Sequence, residues 1–171
     1  MNRAWFGDSY DIVKRFFVGV LNELGYTVYV DPMPTGEWAD CEPAFCRFVG
    51  AQIAPAGAAR SAKSALLIDP DTGIHDRKSK QHVTIASFVE RLESHDVVFV
   101  FDQSFARAAD QSPQMHRKLE QLGTLDAHGF YYDSHARFLF CARSMTVLDS
   151  VVSALLATGL PEGRIVRPAR R

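Results

Sequence analysis

The sequence predicts an α/β domain of three layers, with a mostly parallel sheet that ends in a C-terminal antiparallel hairpin. Two observations predict it. Short apolar runs with strand character alternate with stretches whose apolar residues recur at helical spacing, and the series closes with two strand-like runs around a tight turn. The length of 171 residues suits a single domain, 1–171, and no long linker or internal repeat divides it.

Residues 9–24 carry Ile12, Val13, Phe16, Phe17, Val20, Leu21 and Leu24 at helical spacing, with Asp8 or Ser9 placed to cap the helix and Gly25 to stop it. The β-prone run 26–30 follows and ends at Asp31-Pro32. Between Met33 and Ser64 the pattern weakens. Ala44, Phe45, Phe48 and Val49 allow a short helix, and the Ala/Gly-rich stretch 50–62 reads as an irregular connection. Residues 65–68 form a short apolar strand that stops at Asp69-Pro70-Asp71-Thr72-Gly73, a run with the turn chemistry of Asp, Pro and Gly. Thr84 then caps a helix whose inner face is Ile85, Phe88, Val89 and Leu92.

Residues 97–101 are continuously apolar, as a central strand covered on both faces should be, and stop at Asp102. Ser112-Pro113 opens a helix carrying Met115, Leu119 and Leu122, with proline in its first turn. The runs 130–132 and 137–142 flank Asp133-Ser134-His135-Ala136 and predict the hairpin. A last helix, 145–158, presents Leu148, Val151, Val152 and Leu155 and ends at Gly159, leaving a basic tail at 164–171 that reads as a frayed, solvated end.

Composition narrows the function classes. An apolar share of 47% and a charged share of 23% are ordinary for a globular chain and exclude a disordered or fibrous one. A net charge of −1 provides no global field for nucleic acid, so such a partner would need a local patch such as Arg164, Arg167, Arg170 and Arg171. No apolar run approaches the ~18 residues of a membrane span, so a soluble protein with no membrane partner is expected. Three cysteines (Cys41, Cys46 and Cys141) in a chain without a cationic-then-apolar leader point to a reducing, cytoplasmic setting, and the lone C-x4-C spacing does not suggest zinc.

The chemistry is expected where three predicted strands each end in an aspartate: Asp31, Asp69 and Asp102. Ligands of open α/β sheets bind outside the strand carboxyl ends, so parallel strands would gather these carboxylates along one edge. The expected catalytic set is Asp69, Asp71, His82 and Asp102. The expected ligand-binding set is Asp8, Asp11, Asp31, Ser104 and Arg107, with Arg107 able to clamp a phosphate. Asp69, Asp71 and Asp102 form the metal-ligating set for Mg²⁺ or Mn²⁺. The plain alternative is that these aspartates start turns and cap helices.

From Ala65 to Ala142 the sequence resembles the second half of a Rossmann-like methyltransferase, in which a strand ends in D-P-P-[YFW]. Asp69-Pro70-Asp71-Thr72 occupies that place here, and the resemblance implies a Rossmann-like fold with Asp69 and Asp71 at the centre of a cofactor and substrate pocket. No G-x-G loop exists anywhere in the chain and Thr72 replaces the aromatic, so S-adenosylmethionine is not expected to bind. Pro70-Asp71 followed by Asp76-Arg77-Lys78 also resembles the PD-(D/E)xK nuclease signature, with the two halves too close together for adjacent strands. Three readings follow: a domain with an acidic cleft for a nucleotide, nucleic-acid or other polar ligand, with methyltransferase-like group transfer as its candidate chemistry; a Mg/Mn-dependent phosphoesterase or nuclease; and a noncatalytic binding or adaptor domain.

Overall fold

Unbroken apolar runs in the central strands and apolar residues at every third or fourth helix position build a seven-stranded sheet with helices packed against it. The computed structural model describes residues 6–33, 41–54, 63–77, 79, 81–105 and 110–168. Along the chain these form α1 (Ser9–Glu23), β1 (Thr27–Asp31), α2 (Glu42–Val49), β2 (Gln52–Ile53), β3 (Ser64–Ile68), β4 (Gly73–Ile74), β5 (His82–Val83), α3 (Ile85–Glu90), β6 (Val97–Phe101), α4 (Ser112–Thr124), β7 (His128–Tyr132), β8 (Phe138–Ala142), α5 (Met145–Ala157) and β9 (Ile165–Val166).

Seven strands pair in the order β2-β1-β3-β6-β8-β7-β9. β2, β1, β3 and β6 are parallel, β8 runs against β6, and β7 and β9 each run against their neighbour, so five of the seven strands point the same way. The fold is therefore mixed α/β with a mostly parallel central sheet and the expected antiparallel hairpin, β7–β8. A stack of phenylalanines fixes the junction between the parallel and antiparallel parts. Phe140 of β8 lies parallel to Phe99 of β6 at 5.1 Å and to Phe130 of β7 at 4.8 Å, in register with both. Such cross-strand aromatic pairs contribute roughly 0.2–1 kcal/mol each beyond simple burial.

The period of two divides the core. Val28 and Val30, Ala65 and Leu67, and Phe99 and Phe101 pack with Phe17, Leu21, Phe45 and Val151 of α1, α2 and α5. The intervening Leu66, Ile68, Val98 and Val100 pack with Phe88 of α3 and Met115, Leu119 and Leu122 of α4. Both faces of β3 and β6 are thus buried, which is why these strands read as unbroken apolar runs.

Several expectations need correction. On α1, Ile12 and Phe16 are exposed (57% and 37%), while Asp11 and Lys14 take inner positions beside Phe17, Val18 and Leu21. The helical stripe is rotated because the two polar residues bond each other and a strand-end aspartate. The short β2 was not anticipated, and neither was the separate parallel pair β4–β5, each of two residues. Gly73 in β4 has φ +95°, and a Cβ there would meet the Asp102 carboxylate and lie 2.8 Å from its Cα, so only glycine permits this approach. The basic tail is held as far as Arg167, since β9 pairs with β7, Arg164 donates to the Asp133 carbonyl and Arg167 donates to Asp149. Residues 169–171, with Arg170 and Arg171, lie outside the described residues. No helix among the described residues is long and apolar enough to cross a membrane. All three cysteines are free thiols, Cys141 fully buried and Cys41 and Cys46 half-buried.

Candidate functional site

The three strand-end aspartates do share one edge, because β1, β3 and β6 are adjacent and parallel: the Asp69 amide donates to the Asp31 carbonyl at 3.0 Å, and Ile68 pairs with Val100 two residues before Asp102. They do not converge. Side chains alternate across a strand, so Asp69 continues the face of Leu67 toward α1 while Asp102 continues the face of Val100 toward α4. Each is claimed by a different cation. Asp31, near the surface, accepts from Arg91 at 3.1 Å, Asp69 pairs with Lys14 at 2.8 Å, and Asp102 pairs with Lys118 at 2.7 Å.

Asp102 is fully buried and fully engaged. Its Oδ1 accepts from the Ile74 amide at 3.0 Å and the Ser104 amide at 3.2 Å, while its Oδ2 accepts from Lys118 Nζ and the Tyr131 hydroxyl, both at 2.7 Å. Lys118 Nζ uses its remaining protons on the Ile74 carbonyl and Ser104 Oγ. Burial lowers the Lys118 pKa, with Asp102 opposing, and burial together with the adjacent carboxylate raises that of Tyr131 well above the usual phenol value. Asp102 therefore joins β6, β4, α4 and β7, with an ammonium and three other donors on the two oxygens that the sequence offered for catalysis or metal binding.

Asp69 lies in a different setting. Asp8, the N-cap of α1, accepts from the Tyr10 and Asp11 amides, which starts the helix and turns Asp11 and Lys14 inward. Lys14 Nζ lies 2.7 Å from Asp11 Oδ1 and within 2.9 Å of both Asp69 oxygens, and the second Asp11 oxygen accepts from the Gly7 amide. One buried ammonium thus serves two buried carboxylates. Burial opposes the charge of Lys14, but Asp69 and Asp11 outweigh it and its pKa is raised. Burial pushes the Asp69 carboxyl above the usual carboxylate range, Lys14 offsetting this only in part.

This triad forms one wall of an open cleft of about 620 Å³, lined by Asp8, Ser9, Tyr10, Asp11, Lys14, Asp69, Pro70, Asp71, Phe101 and Gln103. The cleft brings together four of the expected residues, Asp8, Asp11, Asp69 and Asp71. Among the described residues, four carboxylates and one ammonium, that of Lys14, line the cleft. At its rim the Tyr10 hydroxyl meets His135 Nε2 at 2.9 Å, and Tyr10 packs on Phe101 at 5.0 Å.

The other expected residues fall elsewhere. His82, on β5, bonds Ser79 at 2.9 Å and packs against His75, and it is not part of the cleft lining, because β4–β5 is anchored on the Asp102 side of the sheet. Ser104 also belongs to the Asp102 side, and Arg107 lies outside the described residues. Asp69 and Asp102 do not share a site, and no group of three or more histidine, cysteine, aspartate or glutamate residues among the described residues is arranged to hold a metal ion. Lys14, Lys118, Tyr10 and Tyr131 were missed by sequence reasoning. A signal existed for both lysines: each stands on an apolar helical stripe, Lys14 among Phe17, Val18 and Leu21, and Lys118 among Met115, Leu119 and Leu122. A charge in such a place implies a buried partner.

No protein family, curated protein or solved structure matches the chain.

Proposed function

We propose that the chain is a three-layer, Rossmann-like domain that binds a small polar ligand in this cleft, and that the ligand presents a cationic group or clustered hydroxyls, as a nucleoside does. The observation that carries the reading is the unequal triad: one ammonium between two buried carboxylates, with Asp8 and Asp71 on the same wall. Two buried carboxylates that share one ammonium are stabilised by a further cation or hydroxyl donor and destabilised by an anion. The cleft therefore favours the sugar or amine part of a ligand over a phosphate, and a nucleic-acid backbone is a poor occupant.

The fold supports the reading. The chain leaves β1 for β2 on one side and then passes to β3 on the other, so the strand order reverses there, and ligands of open α/β sheets bind beside such a point. Helices lie against both sheet faces, and after the small β4–β5 pair the chain runs helix, strand, helix, hairpin, the order that the resemblance to methyltransferases implies. The chain nevertheless lacks a glycine-rich loop for close backbone approach to a cofactor. No catalytic role is assigned, because the two cleft groups with shifted acid strength, Lys14 and Asp69, are bonded to each other. A binding or adaptor role is therefore favoured over group transfer. The metal-dependent phosphoesterase reading is served less well, since Lys14 stands between the two carboxylates that a cation would bridge.

Calorimetric titration of the parent chain with adenosine, AMP, S-adenosylmethionine and Mn²⁺ tests the proposal. Adenosine should bind about tenfold or more tightly than AMP, corresponding to ~1.4 kcal/mol, and Asp71→Asn should weaken it. S-adenosylmethionine should bind no more tightly than adenosine. Tighter binding of AMP at the cleft, or a clear rise in melting temperature with Mn²⁺ that is lost in Asp69→Asn, would overturn it.

A further inference from the structure

We propose that a second, smaller cavity beside Lys118 is an oxyanion-binding site. It holds about 160 Å³ and is lined by Ile74, His75, Asp76, Ser104, Phe105, Gln114, Arg117 and Lys118. A single water needs only about 10–15 Å³ in such a measure, so the space suits a group of several atoms. It borders the same turn as the acidic cleft, since Gln103 lines the cleft and Ser104 the cavity.

The lining is rich in donors. Ser104 Oγ accepts from Lys118 Nζ at 2.6 Å, which leaves its own O–H to donate elsewhere. The side-chain amide of Gln114 makes no hydrogen bond among the described residues. Arg117, half exposed, has as its charged contact there the Asp76 carboxylate at 3.6 Å, too long for a hydrogen bond. Its planar fork of donors matches a phosphate or carboxylate. Lys118 has spent its three protons and its charge is offset by Asp102, so its part is to orient Ser104 Oγ.

An independent observation points the same way. His75 Nε2 is sealed from solvent and has no hydrogen-bond partner among the described residues. A buried polar atom left in this condition is uncommon and marks a place where a water, ion or ligand completes the bonding. His75 lines the same cavity, so Ser104, Gln114 and Arg117 carry the site and His75 borders it. Among the described residues Asp76 is the one carboxylate in the lining, and at 75% side-chain exposure it competes weakly for Arg117.

The probe is inorganic phosphate, titrated into the full chain by calorimetry at constant ionic strength, with chloride as the control for screening. Saturable binding of one phosphate is expected. Arg117→Gln should weaken it about tenfold, as loss of a charge-assisted bond does, and Asp76→Asn should tighten it by freeing Arg117. Both residues are solvent-exposed, so the variants should melt with the parent. Asp69→Asn should leave phosphate binding unchanged, which separates this site from the acidic cleft. Absence of saturation, or unaltered affinity in both Arg117→Gln and Asp76→Asn, would overturn the proposal.

Discussion

Two strand-end aspartates on opposite faces of one sheet each meet a buried helix lysine, and the two pairs differ in how completely they are satisfied. At Asp102 and Lys118 one positive and one negative charge cancel, and Tyr131, Ile74 and Ser104 bond what remains. At Asp69 and Lys14 the ammonium is shared with Asp11, so that among the described residues two buried carboxylates meet one ammonium, and the group borders an open cleft. A closed network specifies structure, because any ligand would have to displace bonds already made. An unequal one bordering a cleft has something to gain from a ligand, which makes Asp69 the functional candidate and Asp102 the clamp.

The largest expected effect breaks the closed network. Lys118→Met removes a cation from a fully buried carboxylate and leaves the Ile74 carbonyl without its donor, so it should destabilise by about 3–5 kcal/mol in urea unfolding. A loss below about 1 kcal/mol would show that Asp102 reaches water or another partner, and the contrast between the two faces would fail.

How much of this was legible in the sequence follows from which forces act locally. The strands ending at Asp31, Asp69 and Asp102 were legible because burial on both faces leaves unbroken apolar runs, and the helix starts at Asp8 and Thr84 because capping is a contact within a few residues. The convergence of the aspartates was not, because one residue of offset reverses the face of a strand. Asp69 lies two residues after Leu67, and Asp102 two after Val100, yet Leu67 and Val100 belong to opposite faces. β4 and β5 were missed since two-residue strands carry no periodicity, and their placement depends on Gly73 lying against Asp102, 29 residues along the chain.

A smaller effect is expected on the other face. Lys14→Met leaves Asp11 and Asp69 facing each other, but the adjoining cleft admits water and one carboxyl can take up a proton, so the cost should be about 1–3 kcal/mol at neutral pH. Because protonation relieves the repulsion, the cost should shrink as pH falls toward the carboxylate range, whereas the Lys118→Met cost should change less. Urea unfolding of both variants at several pH values checks the difference.

The smallest expected effect tests the comparison most closely, since it concerns the sign of the charge at Asp69. Burial holds the folded-state pKa of Asp69 above its ordinary value of 3.8, so the folded chain binds a proton more readily than the unfolded one. The contribution of this group to stability is therefore fully present below pH ~4 and is lost as pH rises through the raised folded value. Asparagine has no charge to bury and Lys14 keeps Asp11 as its partner. Asp69→Asn should accordingly match the parent at low pH and gain on it as pH rises toward neutrality, remaining within about 1 kcal/mol throughout. Asp69→Asn should also bind adenosine more weakly than the parent does. Thermal and urea unfolding from pH 4 to pH 8 would read the sign directly. If Asp69→Asn instead loses more than about 2 kcal/mol at neutral pH, the Asp69–Lys14 pair is a clamp like that of Asp102, and the cleft loses the unequal charge on which its ligand depends.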